Sequence, residues 1–356
     1  MPDPLPFIRR SVRSIKPYYM SEQSVKVKLN QNESPFDLPP SIKSLILKQF
    51  SEVSWNRYPS FTTDALREKI AEIEGVSPEM VLIGNGSNEL LQMLCSIILE
   101  PRTDFLMVQP TFQLYEQIGR VFGANLIQVE LASDLNYPIN QLLDINQSKP
   151  IPLQIYCSPN NPTGSILTLN QIEQILKIAA GIVAIDEAYC DFSQLKATHF
   201  LKFYPNLVIT RTFSKAFCMA SFRLGYLIAA PALATEIYKA KLPYNIDKFS
   251  ELTALVVLNH IELIHEQVAT ILQQRDWLIA ALKEFPEITV YPTFANFFLI
   301  STPLKPDDLF NRLLKTGILV RNVSHNHPLL ADKLRIAVGI PSENQYLIEA
   351  LRKIFR

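Results

Sequence analysis

The chain has 356 residues, of which 48% are hydrophobic and 19% are charged. This is the composition of a globular protein, and the length is sufficient for two domains with substantial cores. Lysine plus arginine and aspartate plus glutamate number 34 each, so the formal net charge is zero. A balanced charge excludes the strongly basic surface that binds nucleic acid or an acidic membrane, and we expect neither as a partner.

The cysteines and the first residues indicate the compartment. The cysteines are widely separated and have no metal-ligand spacing, so we expect buried free thiols, no bound metal and a reducing environment. Segment 1–6 lacks the basic and then apolar layout of a secretory signal, and no apolar stretch is long enough to span a bilayer. We therefore expect a soluble, cytoplasmic protein. The cysteines are Cys95, Cys157, Cys190 and Cys218.

Taken in chain order, the first forty residues are expected to be extended and rich in loops, with a short strand over 26–29. Two helices follow, one over 41–50 and one that begins at 63. From residue 81 onward, short apolar runs alternate with helical segments, which predicts a mainly parallel sheet buried on both faces. The predicted strands are 81–83, 105–108, 125–129, 153–156, 181–186 and 206–210, and the predicted helices between them are 89–99, 113–122 and 169–179.

The pattern changes past residue 245. A single long helical stretch is predicted over 251–285, and shorter strands and helices follow. These are strands 289–291, 297–300, 318–321 and 333–338, and helices 307–315 and from 342 onward. We predict three parts: an N-terminal segment (1–40) that joins the smaller domain, a large domain (41–245) and a smaller α+β domain (246–356).

Three segments carry chemistry, and they follow one another in a specific order. The turn 160–164 reads Asn-Asn-Pro-Thr-Gly, Asp186 ends an apolar strand, and Lys215 is followed eight residues later by Arg223. An amine, a carboxylate and an arginine with hydroxyl neighbours are the groups that pyridoxal phosphate requires. The amine condenses with its aldehyde, the carboxylate pairs with its ring nitrogen, and the arginine holds its phosphate. The order predicts a pyridoxal-phosphate site of the aminotransferase type.

Lys215 is the predicted catalytic amine. An incoming amino substrate would free it from the aldehyde, and it would then act as the base that moves a proton from the substrate Cα. Nearby positive charge and partial burial should lower its pKa. Thr212, Ser214 and Arg223 flank it as candidate phosphate ligands. The ordinary alternative is a solvated surface lysine.

Asp186 is the predicted partner of the ring nitrogen, because burying a carboxylate costs free energy unless a cation pairs with it. That pairing would keep the ring electron-poor. Tyr189 and Asn161 are predicted to share the phenolate oxygen of the ring. The alternatives are a helix-capping aspartate, a core tyrosine and ordinary turn chemistry.

The turn 84–89 between a strand and a helix predicts an anion site, in which Gly86, Ser87 and Asn88 would hold the phosphate. The same residues would also be expected if Ser87 or Asn88 only capped the helix. Phe112 follows the next strand and is predicted to lie on the cofactor ring, although core packing is the default for a phenylalanine.

Five short motifs add a resemblance that covers nearly the whole chain: 12–18 (VRSIKPY), 28–35 (KLNQNESP), 56–59 (NRYP), 320–321 (VR) and 334–336 (LRI). With the cofactor motifs, they resemble the fold type I aminotransferases and, among these, the histidinol-phosphate aminotransferases. The resemblance implies an α/β fold with a mainly parallel central sheet flanked by helices and a smaller α+β domain. It also implies transfer of an amino group between L-histidinol phosphate and 2-oxoglutarate, in histidine biosynthesis.

The same resemblance implies a homodimer, to whose interface the N-terminal segment contributes. The tyrosine matching Tyr58 would reach the cofactor phosphate of the neighbouring subunit. Tyr18, Asn32, Arg321 and Arg335 would line the substrate pocket. The two arginines suit a pocket that accepts a phosphate monoester and then a dicarboxylate.

The chain departs from that family pattern at three places. Asn88 stands where an aspartate is common, 218–222 is less rich in glycine, and 339–341 replaces the usual Gly-Thr near Arg335. Two enzymatic alternatives therefore stay open: an aminotransferase for aromatic amino acids and a threonine-phosphate decarboxylase. A cofactor-binding regulator without activity is the third alternative, but the chain has no spare length for a DNA-binding domain and retains Lys215 and Asp186.

Overall fold

The computed structural model describes residues 5–15 and 23–355. The strands in these residues are β1 (Val27–Lys28), β2 (Val81–Gly84), β3 (Asp104–Gln109), β4 (Asn125–Glu130), β5 (Leu153–Cys157), β6 (Ile182–Asp186), β7 (Leu207–Thr212), β8 (Gly225–Ala229), β9 (Thr289–Val290), β10 (Phe297–Ser301), β11 (Ile318–Leu319), β12 (Arg321–Asn322) and β13 (Lys333–Ala337). The α-helices are α1 (Arg10–Arg13), α2 (Pro40–Ser51), α3 (Asp64–Glu74), α4 (Gly86–Ile98), α5 (Leu114–Phe122), α6 (Ile139–Ser148), α7 (Leu169–Ile178), α8 (Cys190–Ser193), α9 (Pro231–Tyr238), α10 (Lys248–Leu258), α11 (Ile261–Leu282), α12 (Pro306–Lys315) and α13 (Pro341–Phe355). Short 3₁₀ helices cover Leu5–Phe7, Pro78–Met80, Thr198–Lys202, Ala220–Phe222 and Pro328–Leu330.

The large sheet has seven strands in the order β2-β8-β7-β6-β5-β3-β4. All are parallel except β8, which pairs antiparallel with both β2 and β7. Side chains of β3 alternate between the two faces of the sheet: Phe105 and Met107 belong to one apolar cluster, and Leu106 and Val108 belong to the other. Both faces are thus buried, which confirms the predicted mainly parallel, doubly covered sheet.

The N-terminal segment pairs with the C-terminal part of the chain. Strand β1 lies parallel to β11, and the Leu29 carbonyl accepts a hydrogen bond from the Ala337 N–H at 3.0 Å. Beside this pair, β12, β13, β10 and β9 form an antiparallel sheet of four strands. The predicted α+β character of this part is confirmed, while the domain boundaries near residues 40 and 245 stay predictions.

The single helix predicted over 251–285 is wrong. The segment forms two helices, α10 and α11, which meet at 77°. The break falls at Asn259 and His260, and the His260 ring bonds the Val256 carbonyl at 2.8 Å. Side-chain hydrogen bonds to the backbone compete with helix continuation, and apolar periodicity does not report them. Among the described residues no single helix is long and apolar enough to cross a membrane; α10 and α11 pass that test only as this bent pair.

One other prediction differs from the structure, and further elements were missed. The strand predicted over 318–321 is divided, because β11 pairs with β1 whereas β12 pairs with β13. The alternation of side chains cannot reveal a change of partner strand. The reversed strand β8 and the helices α6 and α9 were not predicted.

Candidate active site

A cleft of about 540 Å³ lies where the carboxyl ends of the parallel strands meet the smaller sheet. Thirteen of the predicted site residues line it: Asn32, Ser87, Asn88, Phe112, Asn161, Asp186, Tyr189, Thr212, Ser214, Lys215, Arg223, Arg321 and Arg335. They come from segments up to 303 residues apart, since Asn32 and Arg335 share the cleft. A second cavity of about 380 Å³, between α3 and α11, is mostly apolar and contains none of them.

Lys215 lies on the turn after β7, and its Nζ donates to the Gln31 carbonyl at 2.8 Å. Loss of surrounding water, and then the positive charge of Arg335, lower the pKa of the Lys215 ammonium to about 7. This is the direction predicted from the sequence. A substantial fraction of the amine is therefore unprotonated near neutral pH.

Asp186 ends β6 and is only 2% exposed. Its Oδ2 accepts a hydrogen bond from the Tyr115 hydroxyl at 2.6 Å, and its Oδ1 accepts one from the Ala188 N–H at 3.2 Å. Burial raises the pKa of the carboxyl, and the Tyr115 hydrogen bond opposes that change. These donors are neutral, so a buried acid faces the cleft in a place suited to a cation.

The opposite wall carries a chain of polar contacts. Asn32 Nδ2 donates to the Tyr189 hydroxyl at 3.2 Å. Arg335 donates from Nη1 to the Asn161 side-chain carbonyl and from Nη2 to the Asn30 backbone carbonyl at 2.6 Å. Arg335 is thereby held at the cleft, and the amide group of Asn161 presents its N–H donors rather than its carbonyl.

An anion cradle forms at the N-terminus of α4, which begins at Gly86 rather than at the predicted 89. The first N–H groups of a helix have no partner within it, so those of Ser87 and Asn88 are available to an anion. Arg223 completes the cradle, and its Nη1 donates to the Ser214 hydroxyl at 3.1 Å. Gly86 has φ +74°, and a Cβ there would lie 2.8 Å from Arg223 Nη2. Gly86 therefore acts by leaving room, and not as a lining side chain.

A buried ion cluster lies behind the cleft and connects α3 and β8 to β7 and to the residue that follows β6. Arg211, on β7 next to Thr212, pairs with Glu187, its Nη2 2.6 Å from Oε2, and also with Glu74 of α3. Tyr226 of β8 donates to Glu74 at 2.8 Å. Burial raises the pKa of Glu74, but Arg211, Lys196 and the Tyr226 hydrogen bond together more than offset this, and the net pKa is lowered. The cluster was not predicted.

Apart from Gly86, one predicted residue that the structure describes, Tyr58, does not line the cleft. Tyr58 is 80% exposed, and its ring stacks on Tyr244 with centroids 4.4 Å apart. Tyr18 lies outside the described residues. The sequence analysis in turn missed Tyr115 and Gln31. Tyr115 follows Phe112 by three residues at the start of a helix, and that spacing was the available signal.

The groups in the cleft fit pyridoxal phosphate. Lys215 offers a partly neutral amine, Asp186 a buried acid with neutral partners, and the α4 cradle an anion site that a Cβ at Gly86 would fill. Comparison with known proteins agrees. The family model "Aminotransferase class I and II" matches residues 24–351. The chain therefore belongs to the class I and II aminotransferase family, and it is a pyridoxal-phosphate-dependent enzyme.

Similar proteins indicate which aminotransferases within this family the chain resembles. The chain is 37% identical to the histidinol-phosphate aminotransferase of Chlorobaculum tepidum over 93% of this chain and 95% of the relative. It is 34% identical to that of Ruminiclostridium cellulolyticum over 98% of each chain. Among the histidinol-phosphate aminotransferases of known structure, the Sinorhizobium meliloti enzyme in complex with pyridoxal-5'-phosphate superimposes with a TM-score of 0.87 at 22% identity, covering 98% of this chain and 97% of that one. This last likeness concerns the fold alone.

Proposed function

We propose that this protein transfers the amino group of L-histidinol phosphate to 2-oxoglutarate, giving imidazole acetol phosphate and L-glutamate, in histidine biosynthesis. One observation carries the proposal: Lys215 and Asp186 share a cleft with two arginines, Arg321 and Arg335. Relatives with 33–37% identity over nearly the whole chain carry the name of this activity.

Pyridoxal phosphate, when bound, supplies an aldehyde carbon and an electron-poor ring that accepts electrons as the substrate Cα–H bond breaks. Lys215 would attack the aldehyde carbon and later take the Cα proton, since both roles need the neutral amine that a pKa of about 7 provides. Asp186 would hold a proton on the ring nitrogen. Asn161 and Tyr189 would donate hydrogen bonds to the ring oxygen.

The phosphate of the cofactor would lie in the α4 cradle, on the N–H groups of Ser87 and Asn88. Arg223, Thr212 and Ser214 would complete its binding. Phe112 lines the same cleft and would cover one face of the ring.

Arg335 and Arg321 would bind the anionic ends of the two successive substrates. A guanidinium can hold a phosphate monoester or a carboxylate through two parallel hydrogen bonds, so one pocket serves both. Arg335 is 8% exposed and oriented by Asn161 and Asn30, which makes it the better positioned of the two. Asn32, beside Tyr189, and Tyr18 would complete the pocket.

We further propose a cytoplasmic homodimer. An exposed aromatic surface supports the dimer: Trp55 is 73% exposed and Tyr58 80%, Tyr244 stacks on Tyr58, and Phe61 meets Tyr244 edge-on. Large exposed apolar patches on a folded protein mark interaction surfaces. In such a dimer Tyr58 would reach the cofactor phosphate of the neighbouring subunit. Sedimentation equilibrium of wild type and of a Trp55→Ser, Phe61→Ser variant tests the dimer, and a monomeric wild type refutes it.

A half-reaction screen tests the substrate. Holoenzyme is mixed separately with L-histidinol phosphate, phenylalanine, tyrosine and threonine phosphate, and the loss of the cofactor's visible absorbance and any release of CO2 are followed. The proposal expects histidinol phosphate to react fastest, without CO2. Faster reaction with phenylalanine or tyrosine would make the protein an aromatic aminotransferase. CO2 from threonine phosphate would make it a decarboxylase, the activity named for a Porphyromonas gingivalis structure that matches with a TM-score of 0.81 at 21% identity.

A further inference from the structure

Tyr115 is a fully buried residue in the first turn of α5, and its hydroxyl lies behind the candidate cofactor ring site. It donates to Asp186 Oδ2 at 2.6 Å, while the Ala188 N–H holds Oδ1 at 3.2 Å. The two contacts fix the carboxylate plane from both oxygens. The Tyr115 ring also meets Phe112 edge-on, with centroids 5.7 Å apart and planes at 90°. The first turn of α5 thus contacts both Asp186 and Phe112, the aromatic residue that would face the cofactor ring.

The proton of this hydrogen bond stays on the phenol. Burial, and then the negative charge of Asp186, raise the pKa of Tyr115 well above its ordinary value. Burial also raises the pKa values of the neighbouring Cys157, Tyr137 and Tyr189, so these groups stay neutral.

The next carboxylate, Glu187, is engaged elsewhere, since its Oε2 accepts from Arg211 Nη2 at 2.6 Å. Among the residues that the structure describes, the Tyr115 hydroxyl donates a hydrogen bond to the Asp186 carboxylate that favours its ionised form. The Thr210 hydroxyl acts in the same direction from β7.

We propose that the Tyr115 hydroxyl is a positioning residue that keeps Asp186 ionised and aimed at the ring nitrogen, and thereby sets how much of the bound cofactor carries a proton on that nitrogen. Without the hydroxyl, the proton between acid and ring would move toward the carboxylate, since a hydrogen bond to an anion lowers its proton affinity. The inference rests on the proposed role of Asp186 at the ring nitrogen.

Tyr115→Phe tests the proposal, because it removes the hydroxyl and keeps the ring that packs on Phe112. Tyr156→Phe is the matched control: Tyr156 is also fully buried and donates to Gln154 Oε1 at 2.7 Å, outside the cleft. The readouts are the ¹⁵N chemical shift of ring-labelled pyridoxal phosphate, the dissociation constant of the cofactor and the rate of Cα–H cleavage with α-deuterated L-glutamate.

In Tyr115→Phe we expect the nitrogen shift to move toward that of an unprotonated pyridine. Cofactor affinity and Cα–H cleavage should fall between about tenfold and a hundredfold, the range for a hydrogen bond to a charged group. Tyr156→Phe should match wild type in all three. In an Asp186→Asn background, Tyr115→Phe should cause no further loss of cofactor affinity.

An unchanged nitrogen shift in Tyr115→Phe, or equal losses of affinity in both backgrounds, overturns the inference. If Tyr115→Phe does not fold, 3-fluorotyrosine in place of Tyr115 gives the second test. Its more acidic hydroxyl should move the nitrogen shift toward the protonated position, and no movement refutes the inference. A wild-type protein that takes up no cofactor would instead refute the proposed function, so the two failures are distinct.

Discussion

Folding makes the side chain of Lys215 harder to protonate. The pKa of its ammonium is about 7 in the folded chain, against an ordinary value of 10.5. Between these pH values the unfolded chain binds more protons than the folded one, so the free energy of unfolding rises with pH across that window. A methionine at this position would remove the dependence.

Without cofactor, we expect the free energy of unfolding of Lys215→Met to exceed that of wild type by the largest amount below about pH 7. The difference should shrink as the pH rises toward 10. Urea unfolding of both proteins at pH 6, 8 and 9.5 measures the difference. Parallel pH profiles would show that Lys215 is well solvated, contrary to its position in the cleft.

For Asp186 we expect the opposite dependence of the unfolding free energy on pH. Its pKa is raised by burial, so the folded cofactor-free protein binds the extra proton and loses stability as the pH rises above the ordinary value of 3.8. Asp186→Asn should therefore melt no lower than wild type at pH 7 without cofactor. With saturating pyridoxal phosphate, the wild type should gain more in melting temperature than the variant, because only the carboxylate can pair with a protonated ring nitrogen. Equal gains would contradict the proposed role of Asp186.

At the residue scale, the sequence was sufficient where a side chain follows directly from a motif. Thirteen predicted residues meet in one cleft, among them Lys215, Asp186 and Asn161. Tyr115 and Gln31 escaped because their contacts depend on helix register and on a backbone carbonyl, neither of which a motif records.

At the scale of elements, the start of α4 provides a sharp test of the anion cradle. Gly86 and Gly75 both have positive φ, +74° and +65°. Gly86→Ala and Gly75→Ala should each cost about 1–2 kcal/mol in unfolding free energy from left-handed backbone strain. Only at Gly86 would the new Cβ meet Arg223, 2.8 Å from Nη2, whereas nothing lies within 4 Å at Gly75.

We therefore expect Gly86→Ala to weaken cofactor binding and Gly75→Ala to leave it as in wild type. Absorbance titration of both variants with pyridoxal phosphate, beside urea unfolding, separates the two effects. Equal cofactor affinities would mean that the cradle does not contact the phosphate.

Element types could be predicted well where apolar periodicity was strong, and poorly where the pairing partner decided the outcome. The strands of the parallel core appeared within about two residues of their predicted bounds, as expected for boundaries read from pattern alone. Strand β8 was missed because it begins two residues after Arg223, where the sequence analysis followed the cofactor motif and not the strand pattern. The break between α10 and α11 was missed because apolar periodicity does not report the hydrogen bond between the His260 ring and the Val256 carbonyl at the break.

At the scale of the whole molecule, the buried cluster of Arg211, Glu187 and Glu74 connects α3 to the sheet. Removing its single cation would leave two buried carboxylates, which costs about 3–5 kcal/mol in comparable sites. We expect Arg211→Met to lose stability of that order at pH 7. Arg352 pairs with Glu284 at 2.9 Å on the exposed surface, and Arg352→Met should cost no more than about 1 kcal/mol.

Urea unfolding of the two variants compares them directly. A loss in Arg211→Met as small as that in Arg352→Met would mean that water or rearrangement compensates the cluster. No sequence pattern pointed to this cluster, because its members stand at 74, 187 and 211 and only the fold brings them together.

The reversed strand β8 has a consequence for the order in which the protein can mature during translation. Strand β2 lies at the sheet edge, and β8 is its pairing partner, with Gly84 opposite Gly225. A nascent polypeptide released only as far as Lys215 already contains the reactive amine and the glycine turn, yet it lacks Arg223 and the strand that brings the turn alongside. We therefore expect vitamin B6 capture only after Arg223 and β8 have been released, so a ribosome-stalled fragment that ends before Arg223 should remain colourless.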